Sequence, residues 1–256
     1  MWTCLVLDLY QAPAGGLSSR ATWTTPIEGA DDMDEETRGY GQFCPVTRAV
    51  EVLGERWSLL ILRDMVVGAT RFNDLARGNP GLSRSLLSKR LRQLERAGII
   101  EHVDDQYLLT PAGKDLEGLV MGLGAWGAKW QFGEPREEEL DPELLMYWVH
   151  DRLDLSMLPA RRVVLEFDFI EPTGRFWIVS DAQGPSVCNS DPGFEVDVRI
   201  QSPLSTMYQV WLGQLSLRAA LREGRVEMHG PSAIVRRMPD VLQLSPVAGI
   251  VAAAQS

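Results

Sequence analysis

The sequence predicts an α+β fold in two parts: a mainly helical N-terminal part closed by a short β-hairpin, then a part in which strands and helices alternate. Three observations predict it. Between Cys44 and Trp130 apolar residues recur every three or four positions, apart from one short strand-like stretch. Between Val163 and His229, runs with the two-residue alternation of strands interleave with helical runs. The two regions are separated by Gly133-Glu134-Pro135-Arg136-Glu137-Glu138-Glu139, a charged segment without apolar periodicity that is read as a linker over 133–140. A chain of 256 residues has room for two cores.

Residues 1–42 mix Ala-Pro-Ala-Gly-Gly and Thr-Thr-Pro with the acidic cluster Asp31, Asp32, Asp34, Glu35 and Glu36, and are expected to form a flexible acidic arm. Met33 inside that cluster is an alternative start to Met1. Val46, Val50, Leu53, Trp57, Leu60 and Ile61 then predict two helices broken at Gly54, over about 45–53 and 56–67. A short third helix begins at Arg71 and ends before Gly78-Asn79-Pro80-Gly81. Ser83 has the chemistry of an N-cap for a long fourth helix, lined by Leu87, Leu91 and Leu94 and stopped by Gly98. Ile99–Val103 and Gln106–Leu109 form a hairpin across Asp104-Asp105, and Thr110-Pro111 opens a helix running to about Trp130.

In the second part, over 141–256, an amphipathic helix is expected from Pro142 to Leu153, and strands at Val163–Ile170, Arg175–Ser180 and Phe194–Ile200. Helices follow at about 202–212 and 216–222, then a strand at Arg225–His229 and a helix after Pro231.

The net charge of −10 speaks against a polyanionic partner only when averaged over the chain. Residues 44–102 hold ten Lys or Arg against six Asp or Glu, whereas 1–43 hold two against seven and 134–256 eleven against eighteen. Basic charge is concentrated in the helical part, where phosphate contacts would supply non-specific affinity. There, a short helix, a Gly/Pro-rich turn and a basic helix on a leucine stripe have the order of a helix-turn-helix. Opposite the stripe stand Arg84, Ser85, Ser88, Lys89 and Arg92, with Ser83 at the leading end. Arg84 and Ser85 are placed to reach base edges, Arg suiting the paired acceptors of guanine. Lys89, Arg92 and Arg71 are expected on phosphates. The hairpin takes the place of a wing, but Asp104-Asp105 at its tip would repel phosphate.

The residues that carry this order also carry a resemblance. Cys44-Pro45, Gly54-Glu55-Arg56-Trp57, Leu60-Ile61-Leu62, Arg71-Phe72 with Leu75, Leu82-Ser83, Leu87, Arg90-Leu91, Leu94-Glu95, Gly98-Ile99, Tyr107, Leu109-Thr110, Gly113 and Trp126 resemble the HxlR family of bacterial regulators over about 44–130. The resemblance implies a winged helix-turn-helix domain over 43–132, double-stranded DNA as partner, and a homodimer on a pseudo-palindromic operator. It places the first helix and the helix around Gly118–Trp130 at the dimer interface. It also makes Cys44 a candidate redox-sensing thiol, a role that needs a lowered thiol pKa and solvent access.

The second part resembles a sterol-carrier-protein-like domain. The resemblance rests on the strand Glu195–Ile200, the helix from Pro203 through Trp211, the segment Leu217–Gly224, the strand Arg225–Gly230 and the closing Ile234–Met238. It implies a sheet with helices on one side and an apolar tunnel between them. Trp148, Phe167, Phe169, Trp177, Met207, Trp211 and Met228 are the candidate lining. Such a module would bind a hydrophobic small-molecule effector or serve dimerisation. The alternative for the whole chain is a carrier of a lipid or hydrophobic metabolite whose helix-turn-helix only dimerises.

Other functions are disfavoured. His102, His150 and His229 are far apart, with no nucleophile–His–acid order and no metal-ligand spacing, so neither catalysis, a cofactor nor a metal is expected. Glu166, Asp168 and Asp197 read as the wet face of a sheet, and Gly122-Leu123-Gly124 as close helix packing rather than a phosphate loop. No apolar run reaches membrane-spanning length, and three scattered cysteines suit a reducing cytoplasmic setting.

Overall fold

The computed structural model describes residues 39–254 apart from 172 and 183. The acidic arm expected over 1–42, including Met33, therefore falls almost wholly outside the described residues. The helical part consists of α1 (Pro45–Leu53), α2 (Ser58–Val66), α3 (Phe72–Arg77), α4 (Arg84–Arg96), β1 (Ile100–Val103), β2 (Gln106–Leu109), α5 (Pro111–Lys114) and α6 (Glu117–Trp130). Ser83 caps α4 as its chemistry predicts, its hydroxyl accepting from the Leu86 N–H at 3.3 Å. Leu87, Leu91 and Leu94 face inward and close a core with Ile61, Leu62, Leu75 and Ile100. Each such Leu contributes about 1.5–3 kcal/mol on burial, which seats α4 firmly.

The hairpin turns in two residues. Asp104 and Asp105 both take positive φ, 47° and 62°, the conformation that matches strand twist and that Asp tolerates better than most residues. The helix expected to run unbroken from Pro111 is instead two segments, α5 and α6. Thr110 Oγ1 donates to Gly98 O and Ile99 O, and a Cβ on Gly113 would stand 2.2 Å from Ile99 O. The first turn is thus clamped to the start of the hairpin, and the chain redirects through the tighter Leu116-to-Gly113 bond before α6 begins.

The second part contains α7 (Pro142–His150), β3 (Val163–Ile170), β4 (Thr173–Asp181), β5 (Gly184–Cys188), β6 (Val198–Ser202), α8 (Leu204–Trp211), α9 (Leu217–Arg222), β7 (Glu227–His229), α10 (Ser232–Val235), α11 (Met238–Val241) and α12 (Ala248–Ala254). The five strands lie in the order β5-β4-β3-β6-β7, with β3 and β6 parallel and the other pairs antiparallel. The strand expected at Phe194–Ile200 starts only at Val198. Before it, the Asp197 N–H donates to Val164 O at 2.9 Å while the Asp197 carboxylate, also bound to Arg161 at 2.6 Å, takes the Val164 N–H at 2.9 Å, so a side chain supplies half of the pairing that a strand would make. The Gly- and Pro-bearing edge strand β5 and the Ala/Val helix α12 lack the polar alternation that announces an element, and sequence periodicity missed both.

Strand β3 is not half-buried: Val163 to Phe167 are all inaccessible, because both faces of the sheet are covered. One face holds the main core, with Phe167 and Phe169. The other holds Val164, Trp177 and Val179. Glu166, expected to be wet, is 3% exposed and paired with Arg199 at 3.0 Å; Asp168 beside it binds Arg175 and Gln201.

The two parts are packed together. Helix α12 crosses α6, and Arg77 of α3 lies over the Tyr147 ring of α7 at 5.5 Å. Helix α12 is held to the second part by Ser245 N–H donating to Trp211 O, and by Gly213, whose φ of +79° and whose contact with Ala248 leave no room for a Cβ.

Candidate nucleic-acid interface

Four groups lock the turn between α3 and α4. Asp64 of α2, 6% exposed, accepts from Asn79 Nδ2 at 2.6 Å and from Arg63 Nε at 2.8 Å. Asn79 also donates to Leu75 O at 2.9 Å, and Arg63 Nη2 to Gly78 O at 3.3 Å. A Cβ on Gly78 would come within 2.5 Å of Asp64 Oδ2. Burial pushes the Asp64 carboxyl up from its ordinary value, opposed by Arg63 and Asn79. Trp57, at a positive φ of 81°, rests its ring on Gly81 from the other side. Gly78-Asn79-Pro80-Gly81 is therefore a fitted turn, and it fixes the angle at which α4 leaves α3.

Above this base the structure gathers the sequence-expected residues on one surface. Ser83, Arg84, Ser85, Lys89 and Arg92 are exposed along α4, Ser88 is half-buried, and Arg71 is exposed at the start of α3. Arg84 is already oriented: Nη2 donates to Asn73 Oδ1 at 2.6 Å, and the guanidinium lies 4.9 Å from the Phe72 ring. Ser88 Oγ donates back to Arg84 O at 3.0 Å, and the Ser83 and Ser85 hydroxyls are 3.2 Å apart. Sequence reasoning missed Asn73, which no periodic pattern marks.

It also left Arg90 without a role. Arg90 sits three residues after Leu87 and four before Leu94, on the inward side of the helix, and is 5% exposed. Its guanidinium meets Glu55 at 2.5 Å and donates to Arg56 O and Gln93. That arginine fastens α4 to the start of α2. The spacing could have revealed this.

Cys44 stands at the N-cap of α1, half-buried and, among the described residues, not in a disulfide. The Thr47 and Val46 N–H groups lower its thiol from the ordinary value, though they do not align as a capping hydrogen bond.

A second surface is apolar. Helix α6 has no buried residue, and Leu119, Leu123, Trp126 and Trp130 stand out from it with Trp126 57% and Trp130 62% exposed. Phe43, Val46 and Val50 are exposed at and beside α1. Among the described residues the close packing expected at Gly122-Leu123-Gly124 is not found: a Cβ on either glycine would meet nothing within 4 Å.

The candidate tunnel residues separate into groups. Phe167, Phe169, Met207 and Trp211 interdigitate in the main core at 5% exposure or less. Trp148 and Met228 pack against that core half-buried. Trp177 lies on the opposite sheet face and does not join them, because it pairs across the strands with Glu166 and not with the phenylalanines.

Comparison with known proteins follows this division. The model of the HxlR-like helix-turn-helix family matches residues 52–135, and that of the SCP-2 sterol transfer family matches 155–243. A Mycobacterium tuberculosis protein, named an uncharacterized HTH-type transcriptional regulator, is 45% identical over 89 residues, 32% of this chain; the chain spans about half, 56%, of that relative's length. A Synechocystis protein of the same description is 33% identical over 35% of this chain and 72% of its own. YvaP of Bacillus subtilis, also so described, is 32% identical over 35% of this chain and 90% of its own. The chain belongs to the HxlR-like helix-turn-helix family.

Proposed function

We propose that the chain is a transcriptional regulator that binds double-stranded DNA as a homodimer, with α4 of each copy in the major groove of one half of a pseudo-palindromic operator. The observation that carries this reading is α4 itself: a capped helix pinned by three leucines, with Arg84, Ser85, Lys89 and Arg92 on its outward face. Arg84 and Ser85 read base edges. Ser83, Ser88, Lys89, Arg92 and Arg71 hold the sugar-phosphate backbone. The contact of Arg84 with Asn73 and Phe72 limits the side-chain freedom lost on binding. The acidic hairpin tip contributes no phosphate contact.

The relatives' description as transcriptional regulators supports the reading. Exposed tryptophans on α6 and the apolar side chains around α1 support dimerisation, since an apolar surface of this kind marks an interface. In this reading residues 43–132 are the DNA-binding domain, 133–140 the linker and 141–256 the module that receives a hydrophobic effector. Cys44 is a candidate oxidant sensor, for which a Cys44→Ser protein that keeps DNA affinity and loses its response to oxidant is the expected outcome.

Selection of bound duplexes from a random pool tests the function without knowledge of the operator. Enrichment of an inverted repeat, with half-sites about one helical turn apart, is expected. No enrichment of any sequence would overturn the proposal and leave the carrier reading in its place.

A further inference from the structure

Phe167, Phe169, Met207 and Trp211 fill the space of the apolar tunnel expected inside the C-terminal part. A different cavity, of about 430 Å³, opens between the two parts of the chain. Its walls are α2 with Leu59 and Leu60 and its C-cap Val67, α6 with Val120, Gly124 and Gly127, and α12 with Ile250 and Val251. Among the described residues, Arg63 is the one charged residue of the lining. Its size falls within the range of about 300–1,000 Å³ usual for small-molecule sites.

Glycines of α6 form part of the cavity wall. A glycine inside a helix costs about 1 kcal/mol relative to alanine. Gly124 and Gly127 both line the cavity, and a Cβ on either would meet no atom within 4 Å. A larger side chain at either position would occupy cavity space without first meeting a neighbour. Of the exposed α6 side chains, Leu119, Trp126 and Trp130 lie outside the cavity lining, whereas Leu123 belongs to it.

The cavity also touches the DNA-facing machinery. Arg63 lines it, and the same guanidinium donates to Gly78 O in the turn before α4 and to Asp64, which holds Asn79. The opposite wall, α12, is fastened to the C-terminal part through Ser245 and Gly213. A molecule between these walls bears on both the spacing of α12 from α6 and the position of Arg63.

We propose that this cavity between α2, α6 and α12 is the effector site, and that it takes an uncharged, largely apolar small molecule whose binding alters DNA affinity through Arg63 and the turn at Gly78. The coupling rests on the DNA-binding reading, whereas the site does not. A ligand shifts DNA affinity only by its differential affinity for the two states of the protein.

N-phenyl-1-naphthylamine, a neutral aromatic fluorophore, is a suitable probe with the full chain. The expected result is saturable binding with one site per chain, weakened at least tenfold by Gly127→Leu and unchanged by Gly118→Leu. Gly118 lies on the same helix away from the cavity, and both substitutions raise helix propensity, so the pair separates filling of the cavity from damage to the helix. Equal binding by wild type and Gly127→Leu, or no saturable binding by wild type, would overturn the site. The second arm measures DNA affinity with and without probe. A shift in wild type that is lost in Gly127→Leu supports the coupling, and an unchanged affinity overturns it. If the chain binds no DNA while the probe binds as described, the site stands and the regulatory reading fails.

Discussion

Helices α4 and α6 are nearly equal in length and opposite in character. Helix α4 buries Leu87, Arg90, Leu91 and Leu94 and turns Arg84, Lys89 and Arg92 outward, whereas α6 buries nothing and turns two tryptophans and two leucines outward. Neither outward face is explained by the fold of one chain. A basic face over a leucine stripe is complementary to phosphate, and an apolar face without cover is complementary to another apolar face. Under the proposed function the first face meets DNA and the second a second copy, so substitutions on the two helices should fail in different ways.

The largest effect is expected inside α4. Leu91→Ala removes a side chain 1% exposed in the centre of the core and should cost about 2–5 kcal/mol in denaturant unfolding. Trp126→Ser on α6 removes a larger side chain and should change the stability of the single chain little. Its effect should appear instead as a shift from dimer to monomer in sedimentation, and an unchanged assembly state would break the comparison. Next in size is the turn. Asn79→Ala leaves one oxygen of buried Asp64 with its bond to Asn79 lost and should cost about 1–3 kcal/mol, read in the same unfolding experiment.

On the DNA side, Arg84→Ala should lower discrimination at one base position by about 1–3 kcal/mol. Lys89→Ala should weaken all sequences alike and reduce the slope of log affinity against log salt by about one. Similar effects from both substitutions would mean that α4 does not lie in the groove as described.

The smallest effect concerns the C-terminal part. His150 Nδ1 lies 2.8 Å from Asp151, an ionic contact without hydrogen-bond alignment, and Nε2 meets Pro185 O at 2.9 Å. These partners, Asp151 foremost, raise the imidazole above its ordinary value of 6.5 against the opposing effect of burial. A raised folded value means that the stabilisation is fully present below pH 6.5 and disappears as pH rises through that folded value. The Tm difference between wild type and His150→Gln should therefore be larger at pH 5.5 than at pH 9. A difference independent of pH would contradict it.

The contrast between the helices also separates what the sequence reveals from what it does not. The leucine stripe, the Ser83 cap and the Asp104-Asp105 turn are local patterns, and each is legible from spacing and residue chemistry. Arg90 is legible in the same way, since its spacing from Leu87 and Leu94 gives it an inward position. The Asp64–Asn79 bond joins positions fifteen residues apart, and the Arg63–Gly78 bond does likewise, so no local pattern announces either. The same holds for Trp177. Alternation places it on one sheet face, but only the register with Glu166 says which face that is. The cavity between α2, α6 and α12 was the least legible feature, because glycines beside open space look in sequence like glycines that permit close packing.

The central claim is that α4 enters the major groove with Arg84 at a guanine, one copy in each half-site. Protection of guanine N7 from dimethyl sulfate in the selected duplex tests it most directly. The account predicts two protected guanine positions related by the symmetry of the site, both restored to reactivity by Arg84→Ala while Lys89→Ala leaves the pattern in place at saturation. Protection at a single position, or the same protection by Arg84→Ala, would contradict it.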